Sequence, residues 1–270
     1  MRLAALLSLQ VYFMKNSKQL RNFVFIFLLC LYGCGQSNPS VNKVVIATAA
    51  NMQFAMEALS KKFTESTKIT CELTISSSGK LTAQIQEGAP YDVFVSANMK
   101  YPQELFSKGF TESPPKIYAY GQLVLWTTIV GLDPNMASLT QEHIDHIALA
   151  NPKSAPYGSA AMEVLEHYKI KDQVTHKLVY GESISQANQF IMSQSADIGF
   201  TAMAVVRSPK IKDIGQWAPL NSNFHSPIAQ GVVLIKRQEK SNKAAEQFYE
   251  FLFSDTAAEI LKTYGYTIDE

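Results

Sequence analysis

The run Ser76-Ser77-Ser78-Gly79-Lys80, followed directly by Leu81-Thr82-Ala83-Gln84-Ile85, gathers three hydroxyls and a glycine where a strand turns into a helix. A strand that turns into a helix here leaves its first backbone N–H groups without intrahelical acceptors, and the helix dipole puts partial positive charge at that end. Serine hydroxyls add donors at the same point. The combination suits a small anion held without a formal positive charge.

The elements that position this cluster read as alternating strands and helices. Residues 43–48 are an apolar, β-branched run suited to a buried strand. Ala49-Ala50-Asn51 follows, and Met52, Met56, Leu59 and Phe63 then recur on one helical face with Asn51 at the expected N-cap. Residues 69–76 alternate as a second strand, and the helix from Lys80 stops at Gly88-Ala89-Pro90. Residues 92–96 form a third strand, and Ala97-Asn98 opens a helix carrying Leu105 and Phe106 that ends at Gly109. Such a βαβαβα order predicts an α/β fold with a mostly parallel sheet covered on both faces, with ligands at the carboxyl ends of the strands. Asn51, Ser78 and Ala97 all fall on that edge.

Pro114-Pro115 interrupts the pattern, and residues 122–127 read as a strand leaving the first lobe. A second set of units follows, with strands at 146–150, 176–180 and 197–201. The turn before its first helix contains Pro156-Tyr157-Gly158, and that helix carries Ala161, Val164, Leu165 and Tyr168. The next turn, Gly181-Glu182-Ser183, leads into a helix bearing Ile184, Ala187 and Ile191. A strand at 230–235 and two amphipathic helices, with Phe248, Phe251 and Leu252 and then Ala258, Ile260, Leu261 and Tyr264, complete the chain. The expected organisation is lobe I at 43–121 plus 226–270 and lobe II at 122–225, joined by two crossings.

The N-terminus has a different character. Lys15, Lys18 and Arg21 precede the apolar stretch Phe23-Val24-Phe25-Ile26-Phe27-Leu28-Leu29, which is short for a membrane span and suits an export signal over residues 1–33. Leu31-Tyr32-Gly33-Cys34 resembles the bacterial lipoprotein box, with Cys34 as the lipidated residue and 34–42 as a tether. Of the other cysteines, Cys30 lies in the signal and Cys71 sits alone in a strand, so no disulfide framework is expected. With 24 basic and 23 acidic side chains there is no electrostatic footprint for nucleic acid.

Three stretches together resemble the molybdate-binding proteins of ABC importers: Ala47-Thr48-Ala49-Ala50-Asn51, Ser76-Ser77-Ser78-Gly79-Lys80-Leu81, and Gly88-Ala89-Pro90-Tyr91-Asp92-Val93-Phe94-Val95-Ser96-Ala97. The ending Ala257-Ala258-Glu259-Ile260-Leu261-Lys262-Thr263-Tyr264-Gly265-Tyr266 is similar too, so the resemblance spans roughly 43–268. It implies the two-lobe periplasmic-binding-protein fold of type II, closing on a tetrahedral oxyanion that is delivered to a membrane permease. Carried over by position, the ligand donors fall on Asn51, with Ala50 beside it, and on Ser78, Ala97 and the helix-start N–H of Ile184. Some members place a tyrosine where this chain has Ala202; this chain instead has Tyr157, as other members do, which points to a phenol reaching the oxyanion from a different turn.

That resemblance implies molybdate or tungstate as ligand, with molybdenum entering only as the oxyanion and no direct metal ligand, and no cofactor. It further implies a monomer outside the cytoplasm, periplasmic or at the cell surface, that pairs with permease subunits. A site for another tetrahedral oxyanion such as sulfate is the alternative reading. From a different class, His143 and His146 are spaced for a metal-dependent hydrolase, but Glu142 and Asp145 between them make a solvated face. No G-x-S-x-G elbow is present.

Overall fold

β-Branched and small apolar residues alternate between two cores along the central strands, which is what a sheet covered on both faces requires. In a computed structural model, residues 42–237 and 242–268 are described. The expected export signal, Cys34 and the tether up to residue 41 lie outside the described residues. Among the described residues, five strands come first: β1 (Lys43–Ala49), β2 (Thr70–Ser76), β3 (Val93–Ser96), β4 (Lys116–Gly121) and β5 (Leu123–Thr127). Five more follow: β6 (Ile147–Ala150), β7 (Leu178–Gly181), β8 (Ile198–Ala202), β9 (Gln216–Pro219) and β10 (Ile228–Leu234).

They form two five-stranded sheets with matching layouts, β2-β1-β3-β10-β4 and β7-β6-β8-β5-β9. In each, three parallel strands are joined by an antiparallel fourth, which pairs antiparallel with the fifth. Four strands of each sheet thus share one direction. The reversed strand is the one that has just crossed: β5 follows β4 out of the first sheet, and β10 follows β9 out of the second. Each lobe is therefore an α/β unit completed by chain arriving from the other.

Val44 and Ile46 of β1 and Val93 and Val95 of β3 enter one core of the first lobe, while Ala47 and Phe94 enter the core on the opposite face. The first core is covered by the helices Gln53–Thr67, Lys243–Phe251 and Asp255–Thr263. At its centre Phe63 and Phe248 meet edge to face, with ring centroids 5.2 Å apart and an interplanar angle of 89°. The second lobe has its own core around Leu125, Trp126, Leu149, Leu165 and Phe200.

Two strands, β4 and β9, lie outside the sequence reading. Both are fifth strands at a sheet edge, and β4 directly follows Pro114-Pro115 and exposes Ile117. Phe106 and Tyr168, expected on apolar faces, are exposed. Cys71 is half-buried against the first core, where burial pushes its thiol pKa up while Ser60 and Thr64 oppose the rise. Among the described residues no helix is long and apolar enough to cross a membrane.

Phe248 has no exposed surface. Phe248→Ala should therefore cost about 3–5 kcal/mol in urea denaturation, from lost burial plus the cavity left behind. A loss below about 1 kcal/mol would mean that this aromatic contact does not hold the C-terminal helices to the first sheet.

Candidate functional site

Three helices begin at one place. Ser78–Gln86, Pro156–His167 and Ile184–Met192 are each preceded by a residue in extended conformation, and none of those residues caps its helix with a side-chain hydrogen bond. Their first-turn donors must look elsewhere for acceptors. Pro156 opens the second of them with φ pre-set for a helix and no N–H to satisfy.

Around these helix starts and the turns after β1 and β3 lies a cavity of about 190 Å³, counted with its open mouth. Ala50, Asn51, Ser78 and Ala97 line it from the first lobe, and Tyr157 and Ile184 from the second. All six positions singled out in the sequence thus come together. Ala49, Ser77, Ala155 and Pro156 complete the lining, so no side chain with a formal charge takes part. Ala202 is buried and is not among the lining residues.

The individual groups are arranged as follows. The helix expected from Lys80 starts at Ser78, placing that serine in the first turn. Ser78 is fully buried, and its Oγ accepts the Ala97 N–H at 3.0 Å. The two expected donors are therefore coupled: the Ala97 N–H is used by Ser78, whose own hydroxyl proton is left to donate.

Asn51 is not the helix cap that the sequence suggested. It sits in a short 3₁₀ turn, Ala50–Met52, and the α-helix begins only at Gln53. Its amide points into the protein instead, where Nδ2 donates to Gln230 Oε1 at 2.9 Å and to Tyr266 Oη at 3.0 Å. Tertiary partners outcompete a local cap here because the turn is fully buried and its polar group needs them.

Tyr157 is 1 % exposed, and its hydroxyl makes no hydrogen bond among the described residues. Burial pushes its pKa far up; the Asn51 amide and the Tyr266 hydroxyl lie near enough to oppose the rise without reaching hydrogen-bonding geometry. A buried, unbonded phenol lining a cavity is a donor held ready for an acceptor. Gly121, at the end of β4, makes room for it, since a Cβ there would collide with Tyr157 Oη.

Contacts between the lobes surround the cavity. The Gly79 N–H donates to Ser154 O at 2.9 Å, and a Cβ on Gly79 would come within 3.0 Å of the Ser154 backbone. Ser185 Oγ donates to Gln53 Oε1 at 3.0 Å. Lys80 pairs with Glu182 at 3.0 Å, and since both side chains are exposed the pair contributes at most about 1 kcal/mol. His143 and His146 are exposed. Among the described residues no three His, Cys, Asp or Glu side chains gather as metal ligands.

Gln230, Tyr266 and Gly121 were not foreseen as part of this arrangement. Gln230 did carry a signal, as the one amide in the apolar strand Ile228–Leu234. Tyr266 closes the C-terminal motif, but nothing local aims it at Asn51.

Two α/β lobes that exchange strands and meet over a small cavity of neutral donors define a two-lobed ligand-binding protein. The chain belongs to the bacterial extracellular solute-binding proteins, whose family profile matches residues 44–267. It is 34% identical over 227 residues to the molybdate-binding protein ModA of Azotobacter vinelandii, covering 83% of this chain and 89% of that one. With ModA of Rhodobacter capsulatus it shares 33% identity over 231 residues, 85% of this chain and 90% of the other. Among solved structures, the periplasmic molybdate-binding protein of Azotobacter vinelandii superimposes with a TM-score of 0.79 at 35% identity, over 84% of this chain and all of that one.

Tyr118 and Tyr266 are buried next to Tyr157, and burial first, then the neighbouring Tyr157 phenol, raises both pKa values well above the usual. An unfolded chain releases phenolic protons near pH ~10. Above that pH the folded state holds more protons than the unfolded one, so stability falls as pH rises; below it these groups add no pH dependence. The urea midpoint should thus drop on the alkaline side, and less steeply for Tyr118→Phe. Ionisation of these phenols near pH ~10 with the fold intact would contradict the assignment.

Proposed function

We propose that the protein binds molybdate, or the similar tungstate, outside the cytoplasm and delivers it to the permease of an ABC importer. The observation that carries this reading is the composition of the cavity: hydroxyls and helix-start N–H groups from both lobes, with no carboxylate and no cation. Molybdate is an unprotonated dianion at neutral pH and offers only acceptors. A set of neutral donors in a dry cleft replaces its hydration shell, and the dipoles of three converging helices add partial positive charge. Hydrogen phosphate would also need a strong acceptor for its own P–OH, and a site without a carboxylate offers it none. Selection against sulfate falls to cavity size.

In this reading Ser78 and Tyr157 donate hydroxyls from opposite lobes, and the turns at Ala50–Asn51 and Ile184 supply main-chain N–H groups. The ligand then bridges residues 43–121 plus 226–270 on one side and 122–225 on the other. By contacting both lobes it favours the closed form through its differential affinity. The permease reads that closed surface. Cys34 anchors the exported monomer to the membrane by a lipid, and no cofactor takes part.

Calorimetric and thermal-shift titration of the mature chain should show saturable, stoichiometric binding of molybdate and tungstate, with far weaker responses to sulfate and phosphate. Ser78→Ala and Tyr157→Phe should each weaken binding about tenfold or more. Without ligand, Tyr157→Phe should melt near the parent, and Ser78→Ala, which strips the buried Ala97 N–H of its acceptor, should melt lower but stay folded. No response to molybdate or tungstate would overturn the ligand. Parent-like affinity in Tyr157→Phe would remove the phenol from the site.

A further inference from the structure

Behind the cavity lies a chain of hydrogen bonds whose direction is fixed throughout. Gln230 is fully buried on β10, next to a register shift between Gln230 and Gly231 in the pairing with β4. Such a bulge re-aims a side chain. Its Nε2 faces two main-chain carbonyls, Ile228 O at 3.1 Å and Ala97 O at 3.4 Å. Carbonyl oxygens only accept, so the Gln230 amide can sit only one way round, with Oε1 toward Asn51. That in turn orients Asn51 Nδ2 toward Gln230 Oε1, and its second proton goes to Tyr266 Oη. Tyr266 spends its one proton on Asn51 O at 3.2 Å.

Both Nδ2 protons of Asn51 are therefore committed inward. Ala97 is held through both of its flanking peptide groups as well, its N–H by Ser78 and its carbonyl by Gln230. We propose that Gln230 is the positioning residue of the site: acting through Asn51 and Ala97, it fixes which donors face the oxyanion and withdraws the Asn51 side-chain amide from that set. The inference rests on the oxyanion-binding function proposed above. It assigns the ligand's donors to main-chain N–H groups and the hydroxyls of Ser78 and Tyr157, and places control of their alignment on the strand that returns from the second lobe.

Gln230→Glu tests the polarity directly. An ionised carboxylate can donate to neither Ile228 O nor Ala97 O, whereas a protonated one restores a donor to one of them, and burial raises the pKa of the introduced acid. The ionisable groups coupled in this interior are the phenols of Tyr118, Tyr157 and Tyr266, which stay protonated throughout the range used. Molybdate affinity of Gln230→Glu should be about tenfold or more below the parent's at pH ~9 and recover on acidification to pH ~6, while the parent changes less than about twofold. Gln230→Met, which keeps the volume without donors or acceptors, should bind weakly at every pH. Both variants must melt above the assay temperature.

A pH-independent Gln230→Glu or a tight-binding Gln230→Met would overturn the positioning role. Absence of binding by the parent would instead overturn the molybdate reading. A ligand-free readout decides the network in that case: the Asn51 side-chain amide protons should exchange slowly in the parent and faster in Gln230→Met. Fast exchange in the parent would overturn the network.

Discussion

Main-chain N–H groups at a helix start are costly to bury without an acceptor, and this protein buries three helix starts around one cavity. Much of the architecture follows from that constraint. Helix starts converge only if strands of both sheets point their carboxyl ends at a shared edge, which the matching strand orders achieve. Sheets that exchange strands keep those edges opposed, because β5 and β10 tie each lobe to the other. Glycines at 79 and 121 then allow the final approach, one to the Ser154 backbone and one to the Tyr157 hydroxyl.

Neutral donors are effective toward an anion only when they are aimed and dry, since each has little long-range attraction of its own. Aiming is supplied by a buried polar layer: Ser78 holds the Ala97 N–H, Gln230 holds the Ala97 carbonyl and the Asn51 amide, and Tyr266 completes the set. A layer of this kind is costly if any member lacks a partner, so its bonds are mutually dependent. Tyr157 lies beside it, buried, unbonded and lining the cavity. In the proposed function that orphan hydroxyl is completed by the ligand, which couples lobe closure to binding.

Much of this was legible in the sequence, for a physical reason. A strand-to-helix transition marks a sheet edge whatever the tertiary detail, so Asn51, Ser78 and Ala97 could be placed on the cavity side from pattern alone, while Ile184 came from resemblance. Tyr157 came from resemblance, since a lone tyrosine after a proline has no pattern that singles it out. The cap reading of Asn51 fails because its partners, Gln230 and Tyr266, are 179 and 215 residues away, and local pattern registers only the cap. The strands β4 and β9 escaped notice because edge strands are buried on fewer sides and lose the apolar alternation that marks the central ones. Lys80 next to the serine cluster gave no clue that its partner would be Glu182 of the other lobe.

The most direct test of the account is anomalous diffraction at the molybdenum edge from crystals of the mature chain grown with molybdate. One peak is predicted, within hydrogen-bonding reach, through its oxygens, of both Ser78 Oγ and Tyr157 Oη, with the Asn51 amide still turned toward Gln230. A peak elsewhere on the surface, or one contacted by a single lobe, would contradict it.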